Sequence, residues 1–296
     1  FSLRFMLRKI TYIFYKILIF IDFILKKIAN KNFRYILYDL LRNSSYISIK
    51  IDDKNLKFFT PSQVTKSRID KFYTKEPGTL KWIDDFNKHK SSEDFIFWDI
   101  GANIGLFSIY AATKHKNLKI ISFEPSTSNL VILSRNISIN NFSKKIIINQ
   151  LALTDKENKY LNLKESNFVE GGALNTFGEK YDYDGKNFNE KNIYKIFGTS
   201  INYLIENKIL SIPDFIKIDV DGIEHLILEG GNKFLKSKKI KSIQIELNEN
   251  FQEQHRIAQN ILKNSNFILK SKTLASSRRD KSERFSKMYN CVFERG

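Results

Sequence analysis

The sequence predicts an α/β fold, a mostly parallel sheet with helices on both faces. Three observations predict it. From Phe95 onward short apolar runs alternate with amphipathic stretches, the rhythm of strand–helix–strand units. A buried strand at Phe95–Ile100 passes into a helix through Gly101 and Gly105. The closing strands, Phe267–Thr273 and Met288–Glu294, are joined by a polar, basic loop with no helix, so the last strand is expected to run antiparallel.

Residues 1–45 read as an amphipathic helical segment. At about 100° per residue, Arg4, Arg8, Lys9, Lys16, Asp22, Lys26 and Lys27 share one arc, and an apolar arc from Met6 to Ile28 lies opposite. The segment has no uncharged run of the roughly 18–20 residues that a spanning helix needs. It is too studded with charge for a secretory signal. An interfacial membrane anchor is the expectation, with packing on the domain or on a partner as the other reading. The chain opens on Phe rather than Met, which reads as a piece of a longer protein.

Residues 46–94 precede the core. Tyr46–Thr60 alternates about a polar turn at Asp52–Asn55, a β-hairpin, and Trp82–His89 reads as a helix. The core is expected over 95–296. Its strands are Phe95–Ile100, Lys119–Glu124, Ile146–Leu153 with Tyr160–Leu163 as a short partner, Phe215–Val220 and Ile243–Leu247, then the closing pair. Helices are expected over Ile104–His115, Ser126–Asn140, Ile223–Leu235 and Phe251–Asn264. Residues 164–192 break this rhythm and read as a mobile substrate lid.

Composition narrows the function. The single cysteine, Cys291, excludes a disulfide framework and a Cys-rich zinc site, and its alternating surroundings read as a strand. The net charge of +17 is unevenly spread. Residues 1–50 hold ten Lys/Arg against two Asp/Glu and residues 263–296 nine against three, leaving thirty against twenty-seven between them. A groove that tracks nucleic acid should carry its cations around the site, whereas charged tails suit an anionic membrane surface.

The chemistry concentrates at strand ends. Asp99-Ile-Gly-Ala-Asn-Ile-Gly105 has Gly-x-x-x-Gly spacing, not the Gly-x-Gly-x-x-Gly of a dinucleotide site, and an acid at its mouth suits a cationic ligand. Glu124 ends the next strand, where a carboxylate can accept both hydroxyls of a ribose, and Pro125 stiffens the exit. This half-fold holds an adenosine without choosing between NAD and S-adenosylmethionine.

Together with Phe123-Glu-Pro125, Asn129–Leu133, Asn136–Asn140, Ala152–Asp155, Ser200–Leu204, Ile216–Glu224 and Gly230, these residues resemble the FkbM family of S-adenosylmethionine-dependent methyltransferases over about residues 95–250. The resemblance implies the class I methyltransferase fold, a Rossmann-like seven-stranded sheet, and O-methylation of sugar or polyketide hydroxyls. It implies that Asp99, Gly101, Asn103 and Gly105 line the methionine part of S-adenosylmethionine and Glu124 the ribose, that Asp155 lies near the adenine, and that Ala102 and Pro125 also belong to the cofactor site. The chain departs from the family pattern at Asn202, where Asp is usual, and at Asp221, where Glu is frequent.

Asp219 ends a strand where open α/β sheets bind ligands, which sets it beside the methyl donor. It is the favoured catalytic residue, as an orienting carboxylate, with His225 as the candidate base. Asp219, Glu246 and Asn248 form an outside option for Mg²⁺, although no metal is the leading expectation. The leading acceptor is a hydroxyl of a glycan or lipid-linked saccharide at the cytoplasmic face of the membrane. An RNA methyltransferase and a non-catalytic, membrane-associated adenosine-ligand-binding protein stay open as alternatives.

Overall fold

A computed structural model describes residues 2–89, 94–275 and 285–296. The side chain of Arg4, and residues 276–284 of the basic loop expected between the last strands, lie outside the described residues. The chain divides into two compact units, Phe1–Tyr46 and Ile47–Gly296.

The first unit is a pair of helices, α1 (Ser2–Ala29) and α2 (Phe33–Ser44), joined where the Arg34 amide donates to Asp22 Oδ1 at 2.9 Å. The second unit opens with a two-stranded ribbon, β1 (Tyr46–Ile51) and β2 (Lys54–Phe59). Short helices follow: α3 (Gln63–Asp70), α4 (Phe72–Lys75), α5 (Pro77–Asp84) and α6 (Phe86–His89). The single helix expected over Trp82–His89 is therefore two pieces with Asp85 between them. α5 starts earlier than expected, with Pro77 in its first turn, where a missing N–H costs nothing.

The core alternates as expected: β3 (Phe95–Ile100), α7 (Leu106–Lys114), β4 (Leu118–Phe123), α8 (Thr127–Ile139) and β5 (Ile146–Asn149). β6 (Ala152–Leu153), β7 (Lys159–Glu165), β8 (Thr176–Phe177) and β9 (Asn192–Thr199) come next. Then follow α9 (Ile201–Glu206), β10 (Phe215–Ile218), α10 (Glu224–Glu229), β11 (Ser242–Asn248), α11 (Gln252–Asn264), β12 (Phe267–Leu274) and β13 (Met288–Arg295). The main sheet has seven strands in the order β12-β13-β11-β10-β3-β4-β5. β13 alone runs against the other six strands, as the sequence led us to expect. Cys291 is a buried residue of β13.

Side-chain alternation dresses both faces of the sheet. Phe97 and Phe215 are register partners on β3 and β10, and both meet Trp82 edge-on. Phe86 stacks on Phe215 with ring centroids 3.9 Å apart. One residue further along, Trp98 and Ile216 turn to the opposite face and join Ile227, Leu228 and Leu262 of α10 and α11.

Several expectations are corrected in this region. Ile146–Leu153 is not one strand: β5 stays in the main sheet, while β6 pairs with β9. Tyr160–Leu163 lies in β7, which pairs antiparallel with β9 rather than with Ile146–Leu153. Residues 164–192 contribute to a second sheet of order β6-β9-β7-β8, and Tyr183 within them is 1% exposed. The helix expected to Leu235 stops at Glu229 with Gly230 as its cap, a glycine packed so closely that a Cβ there would lie 2.2 Å from the Thr154 carbonyl oxygen just past β6.

Phe86 closes the face nearer α5, so Phe86→Ala is expected to lower stability by about 3–5 kcal/mol through lost burial and a residual cavity. Urea unfolding followed by tryptophan fluorescence measures it, and a loss under about 1 kcal/mol would show that the aromatic cluster collapses to fill the gap.

Candidate functional site

Three strand ends build the site. At the end of β3, Gly101 adopts φ +84°, and a Cβ on it would lie 1.9 Å from the backbone oxygen of Asp219. Only glycine lets the β3 and β10 ends come so close. The Gly101 and Ala102 amides donate to the Phe123 carbonyl at 3.0 and 2.9 Å, fastening the turn to β4. Asn103, in the left-handed region at φ 51°, donates its amide to Glu124 Oε2 at 2.7 Å and its side-chain amide to the Gly172 carbonyl at 2.6 Å.

Glu124 is a crosslink as well as a wall. Its Oε1 accepts from the Ser126 amide at 2.9 Å and from Asn129 Nδ2 at 3.4 Å. Burial pushes its carboxyl up to about 7, against the donors from Ser126 and Asn103. Asn129 also donates to the Gly172 carbonyl and accepts from the Gly171 amide, so the 164–192 segment is tied down over the turn.

Two cavities open around these groups. The first, of about 600 Å³ with its open mouth, is walled by Glu124, Pro125, Phe123, Leu153, Asn175 and Thr176 among others. Asn175 Oδ1 and Thr176 Oγ1 are buried with no hydrogen-bond partner among the described residues. The second, of about 870 Å³, is walled by Arg68, Lys75, Leu174, Glu246, Phe285 and Met288 among others. Gly101, Asn103, Ala173, Asp219 and Asp221 line both.

The shared wall is strongly charged. Lys217, 1% exposed, donates to Asp219 Oδ2 at 2.8 Å and is the register partner of Asp99. Burial opposes the Lys217 charge, but Asp219, Asp99 and Glu76 more than offset it and raise its pKa. Burial alone would raise Asp219; the ammonium of Lys217, helped by Lys75, overrides it and holds this carboxyl below its usual range. Asp221 sits at φ 64°, accepts from the Leu174 amide at 2.6 Å, and is pushed up to about 6 by burial and then by Asp219. Glu246 is raised well above its usual value, by burial first and Asp219 second. One oxygen each from Asp219, Asp221 and Glu246 lie within 4.8 Å of one another, a spacing that could hold a metal ion.

The expected site residues divide. Gly101, Asn103, Glu124, Pro125 and Asp219 line the first cavity. Asp99 lies behind it, fully buried, accepting from Ser108 Oγ at 2.6 Å. Ala102 is buried in the turn. Gly105 caps α7 and lines neither cavity: a Cβ there would lie 2.6 Å from Leu133 Cδ1, so this glycine lets α7 meet α8. Asp155 accepts from Thr154 Oγ1 and lines neither cavity. His225 is buried beside Tyr181 and Phe251, with Nε2 3.5 Å from the Tyr181 hydroxyl, and burial lowers its pKa. It too lines neither cavity. Asn248 turns away to the Tyr183 carbonyl and Asp184 Oδ1, so the third oxygen near Asp219 and Glu246 is Asp221. Asn202 sits outside both walls, bonded to Asn232 and the Lys233 amide. Arg68 and Lys75 carry no mark in the sequence, because α3 and α4 are too short to show periodicity. A glycine pair at 171–172 was the one signal pointing towards Asn175 and Thr176.

The methyltransferase FkbM domain matches residues 99–269, more than half of the chain. The chain belongs to the FkbM methyltransferase family. It is 29% identical over 152 residues to methyltransferase sdnD of Sordaria araneosa, covering 45% of this chain and 58% of that protein. Among solved structures it is similar to methyltransferase FkbM from Methylobacillus flagellatus KT, at 15% identity and a TM-score of 0.43, covering 88% of this chain and 58% of that one. It is also similar to the B. subtilis m1A22 tRNA methyltransferase TrmK, at 13% identity and a TM-score of 0.42, covering 75% and 65%. The FkbM-family chain thus spans 58% of the length of the first two relatives.

Because Lys217 balances carboxylates on two strands, Lys217→Met is expected to cost about 3–5 kcal/mol at pH 7, the effect of leaving buried charge unpaired. Asp219 has a depressed pKa, so its contribution is present above the unfolded value and is lost as pH falls through the folded one. The deficit of the variant should therefore fade below about pH 4. Urea unfolding of both proteins at several pH values measures this, and a pH-independent deficit would assign the loss to packing instead.

Proposed function

We propose that this FkbM-family chain transfers a methyl group from S-adenosylmethionine to a hydroxyl of a sugar, in a glycan or a lipid-linked saccharide. The observation that carries the reading is the pair of cavities meeting at Gly101, Asn103, Asp219 and Asp221. A donor in one and an acceptor in the other would face each other across that wall.

The residues present fit the donor. Glu124 offers carboxylate oxygens to a ribose diol, and the unpartnered Asn175 Oδ1 and Thr176 Oγ1 offer polar contacts to an adenine. The carboxylates of the shared wall suit a cationic sulfonium and ammonium. When bound, S-adenosylmethionine supplies an electrophilic methyl group. The chain's own contribution is alignment: Asp219, fixed by Lys217, orients the reacting groups, and recovering a near-attack geometry removes much of such a barrier. Asp221 and Glu246 add acceptors for sugar hydroxyls in the second cavity, with Arg68 and Lys75 as donors. Asp219, held charged by Lys217, opposes a phosphate backbone at that wall, which favours a sugar over RNA. His225 loses its role as base, being walled off behind Tyr181 and Phe251.

Calorimetry is expected to show binding of S-adenosylmethionine and S-adenosylhomocysteine but not NAD. Glu124→Ala should weaken that binding by about 1.5–3 kcal/mol, the range for hydrogen bonds to a charged group. Tighter binding of NAD than of the methyl donor would sink the reading.

Labelled methyl transfer to extracted lipid-linked glycans tests the reaction itself. Asp219→Asn is expected to cut turnover at least about a hundredfold, the scale of lost alignment, while near-ultraviolet circular dichroism stays native. Turnover should persist in EDTA. If chelation abolishes it and Mg²⁺ restores it, Asp219, Asp221 and Glu246 are ligands and the orienting role falls.

A further inference from the structure

We infer that the helical unit Phe1–Tyr46 lies flat on an anionic lipid surface, with one face of α1 in the acyl boundary. The unit has no core of its own. No described residue within it is buried, and α2 contributes none. The half-buried residues of α1 are Leu18, Ile19, Asp22 and Leu25, gathered around the bond from the Arg34 amide to Asp22. At about 100° per residue, these four centre roughly 100° from the middle of the apolar arc, and Leu18 and Leu25 form its edge. The arc itself is left open: Ile13 is 58% exposed, Ile17 49%, Phe14 63%, Phe20 63% and Ile28 79%. Soluble monomers rarely leave a continuous apolar strip of this kind in water.

Charge identifies what covers it. The unit holds nine Lys/Arg against two Asp. Lys9, Lys16 and Lys27 stand along one border of the arc, and each lies over a ring one turn earlier: Phe5 at 4.5 Å, Tyr12 at 5.3 Å and Phe23 at 4.7 Å. Their ammonium groups stand beside one edge of the arc, where lysines can reach phosphate headgroups when the arc meets an acyl boundary. A second copy would bring nine cations against nine, which opposes pairing of two such units. No helix among the described residues is long and apolar enough to cross a membrane.

Flotation of the full chain with phosphatidylcholine vesicles, plain or containing about 30% phosphatidylglycerol, tests this. Binding is expected on the anionic vesicles at least about tenfold more strongly than on neutral ones, and to weaken as salt rises. Two variants separate the contributions. K9E/K16E/K27E should lose binding at least about tenfold by reversing the headgroup contacts. I13S/I17S keeps the cations and should also lose binding, because insertion of the apolar face is removed. Residues Ile47–Gly296 carry every buried side chain of the described chain, so circular dichroism should show both variants folded. The proposal is overturned by equal binding to both vesicle types or by unchanged binding of either variant. Protease protection showing that α1 spans the bilayer also overturns it, as does concentration-dependent self-association abolished by I13S/I17S, which would make a second copy the occupant.

Discussion

A buried ammonium group organises this molecule. Lys217 sits in the middle of the sheet, almost without access to water, between Asp219 on its own strand end and Asp99 on the neighbouring strand. A lysine there would be strongly unfavourable alone. It is tolerated because carboxylates surround it; it in turn holds Asp219 charged, whereas burial outweighs it at Asp99 and raises that carboxyl. The arrangement sets the positions of the β3 and β10 ends, and Gly101 completes it by letting the two backbones touch. Asp219 inherits a fixed direction and a lasting negative charge. Asp221 and Glu246, which lack such a partner, are driven towards their neutral forms. One cation thus divides three neighbouring acids into one charged group and two that readily carry protons.

Glu124 plays the matching part at the β4 end. Its two oxygens hold the Asn103 turn and the start of α8, so a group that walls the first cavity also fixes the loops on either side. The second sheet then closes the cavity through backbone carbonyls and amides at Gly171 and Gly172, held by Asn103 and Asn129. Binding surface and structural support are the same atoms here.

Much of this was legible in the sequence. Phe95–Ile100 was readable to the residue because a fully buried parallel strand is a continuous apolar run with turn signals after it. The direction of β13 followed from the missing helix. Asn103, Glu124 and Asp219 stood out because strand-end polar residues in an α/β fold have few other reasons to be there. Other features left no trace. β9 was hidden because its exposed and half-buried residues alternate without a strong apolar stripe. Asp99 reads like a site residue, yet its partner is a lysine that only strand pairing brings alongside. His225 was placed by sequence distance from Asp219, and a helix turn carried it to the other side of Glu224. Arg68 reaches the site from a helix of eight residues, anchored by a bond to the Gly171 carbonyl that no local pattern encodes.

The pairing of β3 with β10 has a consequence for how the chain folds. The amide of Ile96 reaches the side chain of Asp214 across 118 positions of sequence. Everything between them, including two helices on one flank and the second sheet on the other, must be looped out before those strands meet. Loop closure of that length is slow compared with local hairpin formation. β7 and β9, by contrast, form an antiparallel pair across a much shorter loop. The order this implies is peripheral ribbon first and central strands last. Through that interval Lys217 and Asp99 remain separately hydrated, so the charges that define the finished site give no help to the early steps and act only as a final latch.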